Sequence, residues 1–331
     1  MNPLRMNNTQ HQYKIIDAIS DIKVLIIGDV ILDIYEHCEV KRVSPEAPVL
    51  VASVKKESVF LGGAGNVANN VRALGADVTL VCVIGDDREG KIVTNLLEEK
   101  KINSSAVFVE ISRQTTLKKR IVSGAQQLIR IDREADHCIS ELSQKSIKNA
   151  LPKLIQETDV VIIADYCKGV LTDDIIAEIK QLSRVYNKRI FVDSKNKHLL
   201  HYTGVYLIKP NKEEAESFAN ERFTDTYSNL EHIGKKLMGI FESNLVITLG
   251  SDGVALFEDE SFIHKTTQAR EVFDVSGAGD TVMATLATAV AAGATLEEAV
   301  HLSNYAAGYV VSRLGTTTCS AEKLKDIIDG V

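Results

Sequence analysis

Short apolar runs alternate with segments of helical periodicity along most of this chain, and that alternation restricts the fold more than any other feature. A run such as Val160-Val161-Ile162-Ile163 has no polar face. A strand built from it must be covered on both sides, as in a parallel sheet flanked by helices. Strands are expected at residues 23–28, 78–84, 159–164, 189–193, 205–209 and 244–249. Helices are expected between them at 66–74, 90–100, 141–156, 172–186 and 227–241. This succession implies an α/β fold with a mainly parallel central sheet and right-handed crossovers.

Two stretches break the rhythm. Residues 31–61 and 105–132 read as short β runs with no long helix between them, which suits a small sheet projecting as a lid over a cleft. Residues 1–12 are polar and are expected as a loose tail before one domain spanning 13–331. Toward the C-terminus, Ala278, Val282, Leu286 and Val290 recur every fourth residue as the apolar stripe of a helix. Thr295 and Glu298 form a capping box that opens the next helix.

The 331 residues carry a formal net charge of -7, which argues against a general nucleic-acid binder. No stretch of about 18 apolar residues is present, so no membrane span is expected. Five scattered cysteines without a CxxC pair suit a reducing, cytoplasmic setting.

The richest segment is Asp274-Val275-Ser276-Gly277-Ala278-Gly279-Asp280. Its glycines free the backbone to approach a ligand, and the helix starting there aims N–H groups and a positive dipole end forward. Asp280 stands in the first turn, where a carboxylate can take a proton from an attacking hydroxyl. Two other glycine segments are weaker. Gly85-Asp86-Asp87-Arg88-Glu89-Gly90-Lys91-Ile92 departs from a P-loop because Ile92 replaces the Ser/Thr that would hold Mg²⁺. Gly63-Ala64-Gly65-Asn66-Val67-Ala68 has the spacing of a dinucleotide fingerprint, but the opening strand lies well upstream.

Taken together, Gly62-Gly63-Ala64-Gly65-Asn66-Val67-Ala68, the 274–280 segment and Lys209-Pro210-Asn211-Lys212-Glu213-Glu214 resemble the signatures of the PfkB/ribokinase family of sugar kinases, in the family's order. The resemblance covers about residues 23–319. It implies a ribokinase-like three-layer α/β fold with a β-sheet lid, Mg-ATP as co-substrate, room for a monovalent cation, and a homodimer formed through lid strands.

Carried over residue by residue, it makes Asp280 the general base and the backbone of Gly277, Ala278 and Gly279 the anion hole. Asn211, Lys212, Glu213 and Glu214 fall on the nucleotide side, with Asn211 and Glu214 organising Mg²⁺ through water and the ATP phosphates. Thr248, Gly250, Gly253 and Asn304 border the nucleotide. Asp33, Gly62, Gly63 and Asn66 face the sugar. Arg120, Arg130, Asp165, Lys168 and Lys195, with Lys118 also considered, are the candidates near a sugar phosphate.

Arg42-Val43-Ser44-Pro45-Glu46-Ala47-Pro48-Val49 and Gln126-Gln127-Leu128-Ile129-Arg130-Ile131-Asp132 resemble the heptose-7-phosphate kinase branch of that family. This implies phosphorylation of the anomeric hydroxyl of D-glycero-β-D-manno-heptose 7-phosphate, on the route to ADP-heptose for lipopolysaccharide. Many relatives add an adenylyltransferase domain with an HxGH motif. None occurs in these residues, so the kinase step alone is expected unless the chain is a piece of a longer protein. The alternatives are a kinase for another sugar or sugar phosphate, a catalytically silent binding relative, or an NAD-dependent oxidoreductase resting on the 63–68 segment.

Overall fold

The computed structural model describes residues 3–330 apart from 125, 196–198, 225–226, 269–271, 273–274 and 314. Asp274, at the head of the glycine-rich segment, therefore lies outside the described residues. In chain order, helix α1 (Pro3–Ala18) is followed by β1 (Lys23–Gly28), β2 (Val30–Val43), β3 (Leu50–Gly63), α2 (Ala64–Ala73) and β4 (Asp77–Gly85). Next come α3 (Arg88–Glu99), β5 (Asn103–Glu110), β6 (Leu117–Ser123), β7 (Gln126–Arg133), α4 (Glu141–Gln156) and β8 (Val160–Asp165). The chain continues through α5 (Asp173–Val185), β9 (Arg189–Ser194), β10 (Leu207–Ile208), α6 (Lys212–Ala219), α7 (Tyr227–Phe241) and β11 (Asn244–Thr248). It ends with β12 (Val254–Glu258), β13 (Ser261–Lys265), α8 (Ala278–Ala291), α9 (Leu296–Val311) and α10 (Ala321–Asp329).

Among the described residues, nine strands form one sheet in the order β13-β12-β11-β10-β9-β8-β1-β4-β5. It is parallel from β11 to β5 and antiparallel only at the β11-β12-β13 edge. The apolar strands explain the layering. On β1, Val24 and Ile26 belong to one core cluster while Leu25 and Ile27 belong to the other, so each face of the sheet is covered. Helix α8 packs against both the sheet and α9 and is buried from Asp280 to Val290 on every side, so the expected single apolar stripe understates its burial. Its Ala- and Thr-rich surface permits that close packing, with Thr285 and Thr288 hydroxyls returned to backbone carbonyls of the same helix.

The second sheet has the order β3-β2-β6-β7. Its main components are two 14-residue strands, β2 and β3, longer than the short runs expected. Strand β6 lies parallel to β2, setting Asp33 beside Lys118 and Tyr35 beside Arg120. Two boundaries need correction. Residues 105–110 are not lid: they belong to β5, which pairs with β4 and extends the large sheet, with Ala106 buried. Residues 3–12, expected as a tail, are helical in α1, because Ile15 and Ile16 bury its end, Ile19 just beyond it is also buried, and Lys325 of α10 pairs with Asp17.

Candidate active site

The carboxyl ends of parallel strands are where an α/β sheet offers a ligand crevice. Here those ends, the start of α8 and the inner face of the small sheet line a cavity of about 1030 Å³. Asp280 stands on its floor, 8% exposed. Its Oδ2 accepts a hydrogen bond from Asn66 Nδ2 at 2.6 Å, and its Oδ1 accepts one from the Tyr166 hydroxyl at 2.5 Å. Burial pushes the carboxyl up to about 6, and the nearby Asp193 charge adds to this. Tyr166, Asn66 and Lys209 oppose the shift but do not cancel it.

The glycines around Asp280 are required by geometry. Gly277 has φ +81°, a left-handed value, and a Cβ there would come 2.7 Å from Asn66 Nδ2. A Cβ on Gly62 would lie 2.2 Å from Asp33 Oδ2, and Gly63, at φ +57°, would meet the Asp29 carbonyl at 2.4 Å. No side chain caps α8 at Gly277. The Ala278 N–H turns back to the Val275 carbonyl at 3.3 Å, so of the three N–H groups expected to form an anion hole this one is already engaged within the turn.

Next to this turn lies a buried ion pair. Lys209 Nζ sits 2.9 Å from Asp193 Oδ2, with side chains 1% and 2% exposed. Lys195 reaches Asp193 at 3.5 Å and Glu214 at 2.8 Å. Burial alone would raise the Asp193 carboxyl, but Lys209 and Lys195 outweigh it and hold the group below the usual carboxylate range. For Lys195, burial works against the charge, yet Asp193 and Glu214 push its value well up. An ideal Cβ on Gly279 would lie 3.4 Å from Lys209 Nζ, which puts a fixed ammonium beside the glycine turn.

At the far end, Asn211, Lys212, Glu213, Thr248, Gly250, Gly253 and Asn304, the residues expected to border the nucleotide, all line the cavity. Asn304 Nδ2 donates to the Thr266 carbonyl at 2.7 Å. Asn211 and Glu214 form a reciprocal capping box at the start of α6, each bonding the other's backbone N–H at 2.8 Å. The second Glu214 oxygen is occupied by Lys195. These donors are turned inward on the helix and onto a cation, so they do not fit a directly ligated Mg²⁺. Among the described residues no group of three or more His, Cys, Asp or Glu stands together as a metal cage.

At the lid end, Asp33, Gly62, Gly63, Asn66 and Arg120 line the cavity with Lys118 and Tyr35, whereas Lys195, expected near the sugar phosphate, lines it from the Asp193 and Glu214 side. Asp33 pairs with Arg120 at 2.5 Å, and the guanidinium lies over the Tyr35 ring. Three expected substrate residues lie elsewhere. Arg130 is opposite Arg120 in the ladder but one strand further out, half exposed and paired with Asp132. Lys168 is held by Glu134 at 2.7 Å. Asp165 faces inward, accepting from Cys167 N–H, Ser194 Oγ and the Tyr202 hydroxyl, each at 2.9 Å.

Tyr166, Asp193 and Lys209 were not among the site residues read from the sequence. The signal was present for all three: each sits at or just beyond the carboxyl end of an otherwise apolar strand.

A family model described as "pfkB family carbohydrate kinase" matches residues 21–324. A protein named "Bifunctional protein HldE" from Desulfatibacillum aliphaticivorans is 42% identical over 314 residues, 94% of this chain and 64% of that protein. One of the same name from Sulfurimonas denitrificans is 39% identical over 304 residues, 92% of this chain and 64% of that protein. The chain thus spans less than two thirds of the length of these relatives. Among solved structures, Escherichia coli phosphofructokinase-2 in complex with substrates and products superposes with TM-score 0.78 at 19% identity, covering 93% of this chain and 98% of that one. Arabidopsis thaliana ribokinase complexed with ribose and ATP gives TM-score 0.74, also at 19% identity and with coverage of 93% and 98%. At that identity these two likenesses show the fold, a ribokinase-like α/β architecture.

Proposed function

The chain belongs to the pfkB family of carbohydrate kinases, and from that membership we propose that it transfers the γ-phosphoryl group of Mg-ATP to the anomeric hydroxyl of D-glycero-β-D-manno-heptose 7-phosphate. The observation that carries the reading is Asp280, a buried carboxylate on the cavity floor, bonded on both oxygens and flanked by the Gly277 turn. The acceptor hydroxyl gives its proton to Asp280 as its oxygen bonds the γ-phosphorus. The bond from that phosphorus to the bridging oxygen breaks, and ADP departs. Gly277 and Gly279 N–H groups and the positive end of α8 receive the charge that spreads over the transferring group. The metal arrives as part of the nucleotide substrate, and no step is assigned to protein-ligated Mg²⁺ or to a monovalent cation.

The heptose phosphate assignment rests on the resemblance of residues 42–49 and 126–132 and on Lys118 and Arg120 at the lid end, where an anionic acceptor would be met. The lid is also the proposed dimer contact: Val54, Ile129 and Ile131 are 52%, 56% and 48% exposed on its strands. No helix among the described residues is long and apolar enough to cross a membrane, and a cytoplasmic setting is part of the proposal.

The test is an ADP-release assay across heptose 7-phosphate, fructose phosphates, ribose and nucleosides. Selective turnover of the heptose phosphate is expected; preference for another acceptor would replace the substrate while leaving the kinase assignment intact.

A further inference from the structure

Tyr166 is the feature of the floor that general-base chemistry does not itself require. It follows β8 on a loop with two left-handed residues, Cys167 at φ +57° and Gly169 at φ +86°. A non-glycine residue in that region is strained, so something must hold the loop. The buried carboxylate of Asp29, 1% exposed, accepts N–H bonds from Tyr166 at 2.9 Å, Lys168 at 3.0 Å and Val170 at 3.2 Å. From the other side the buried Arg113 guanidinium donates to the Lys168 carbonyl and, at 2.9 Å each, to Ala135 and His137. A Cβ on Gly169 would come 2.1 Å from that same His137 carbonyl. The loop is clamped, and its product is one phenol aimed at Asp280 Oδ1.

We propose that Tyr166 is a positioning residue for the general base: presented by the Asp29-held loop, its hydroxyl fixes and stabilises the Asp280 carboxylate in the form that accepts the proton from the sugar. This rests on the general-base reading of Asp280. With Asn66 on Oδ2 and Tyr166 on Oδ1, the carboxylate cannot rotate without losing both bonds, and each oxygen keeps a further lone pair for the acceptor hydroxyl. Burial and the Asp280 charge keep the phenol well above its ordinary value, so it remains a donor.

The charged groups around Asp280 are Asp193 and Lys195 from the end of β9, Lys209 beyond β10, and Asp33 with Arg120 on the lid. None of these is bonded to it. Among the described residues only the Tyr166 and Asn66 side chains are, so removing the phenol oxygen withdraws a bond that favours the charged carboxylate. Protonation then becomes easier, and the carboxyl titrates at higher pH.

The test compares wild type with Tyr166→Phe in two ways. The Asp280 carboxyl is followed by carbon-13 NMR in protein labelled at the aspartate carboxyl carbons, with Asp280→Asn identifying its resonance. Its titration is expected to move up by about one pH unit in Tyr166→Phe, the scale of a lost bond to the charged form. The acid limb of kcat/KM for heptose 7-phosphate is expected to move up with it, while the KM for ATP stays within about twofold. An unmoved Asp280 titration overturns the proposal, whatever happens to turnover. The NMR readout needs no acceptor, so it stands even if the sugar assignment fails. Undiminished turnover in Asp280→Asn would instead sink the general-base reading. Asp29→Asn, which sets a donor against the loop N–H groups, is expected to shift the resonance in the same direction; no shift removes Asp29 from the arrangement.

Discussion

The floor of the cleft and the lid above it both carry paired charges, but they hold them in different media. On the floor, Asp193 and Lys209 are 2% and 1% exposed, and Asp280 titrates near 6 because burial disfavours its charge. On the lid, Lys41 with Glu39 stands largely in water, Arg130 with Asp132 is partly exposed, and even Arg120 and Asp33 retain some access. The same Coulomb attraction is therefore strong below and weak above. A desolvated pair fixes geometry and shifts proton affinities; a solvated pair can exchange its partner for a ligand. In the proposed function, chemistry belongs to the floor and acceptor capture to the lid.

The largest effect that comparison predicts is at Asp280. Asp280→Asn keeps the side-chain shape, and Tyr166 can accept from the new amide, so the fold should persist while kcat falls by about 10²–10⁴. Stability should change in the opposite sense. The folded carboxyl titrates near 6, above its ordinary 3.8, so its stabilising contribution is complete below about 3.8 and is lost as pH rises through 6. At pH 8 the variant is spared a buried charge, and its Tm should exceed wild type by about 2–4 °C, converging with it toward pH 4. A parallel pH profile for the two proteins would mean the Asp280 charge is not desolvated, and the contrast between floor and lid would fail there.

Next is the buried pair itself. Lys209→Met leaves Asp193, among the described residues, with the more distant Lys195 as its ion-pair partner, and denaturant unfolding should show a loss of about 3–5 kcal/mol. The matched lid change, Arg120→Gln, acts on side chains 17% and 14% exposed and should cost less than the floor pair, about 1–2 kcal/mol of stability. Its effect should appear as a roughly tenfold higher KM for the phosphorylated acceptor, about 1.4 kcal/mol of binding, with a smaller change for the unphosphorylated sugar. Similar stability losses in the two variants would erase the distinction.

The sequence disclosed the fold well because it is written in periodicity. Strand β8 is apolar at every inner position and admits one environment, while the glycines at 62–63 and 277 mark places where a Cβ has no room. It disclosed the site less evenly. Asp280 is legible because its role is local to a helix start, whereas Tyr166 and Asp29 become meaningful only when residues 137 and 114 positions away in the chain meet them. Arg130 and Lys168 fail for the converse reason. A basic residue in a lid or after a strand has the right chemistry, but Asp132 and Glu134 decide where its charge goes. Long-range pairing of that kind leaves no periodic trace in the residues themselves.

The smallest expected effect on folding lies on the lid's outer surface, where it sharpens the contrast most. Strand register sets Ile131 beside Lys119 and Ile34, the face opposite the one carrying Tyr35 and Arg120 toward the cavity. At 48% exposure Ile131 has little burial to lose within one chain, so Ile131→Lys should change unfolding by no more than about 0.5 kcal/mol. If lid strands pair between two copies, the same lysine introduces a charge into an apolar contact, and the cost appears only in association. Sedimentation of the variant should then show a dimer that dissociates at higher protein concentration than wild type, with kcat at saturating acceptor nearly unchanged. Identical sedimentation would leave these exposed apolar residues without a partner copy, and a large loss of monomer stability would mean that the lid is packed more like the floor than its exposure indicates.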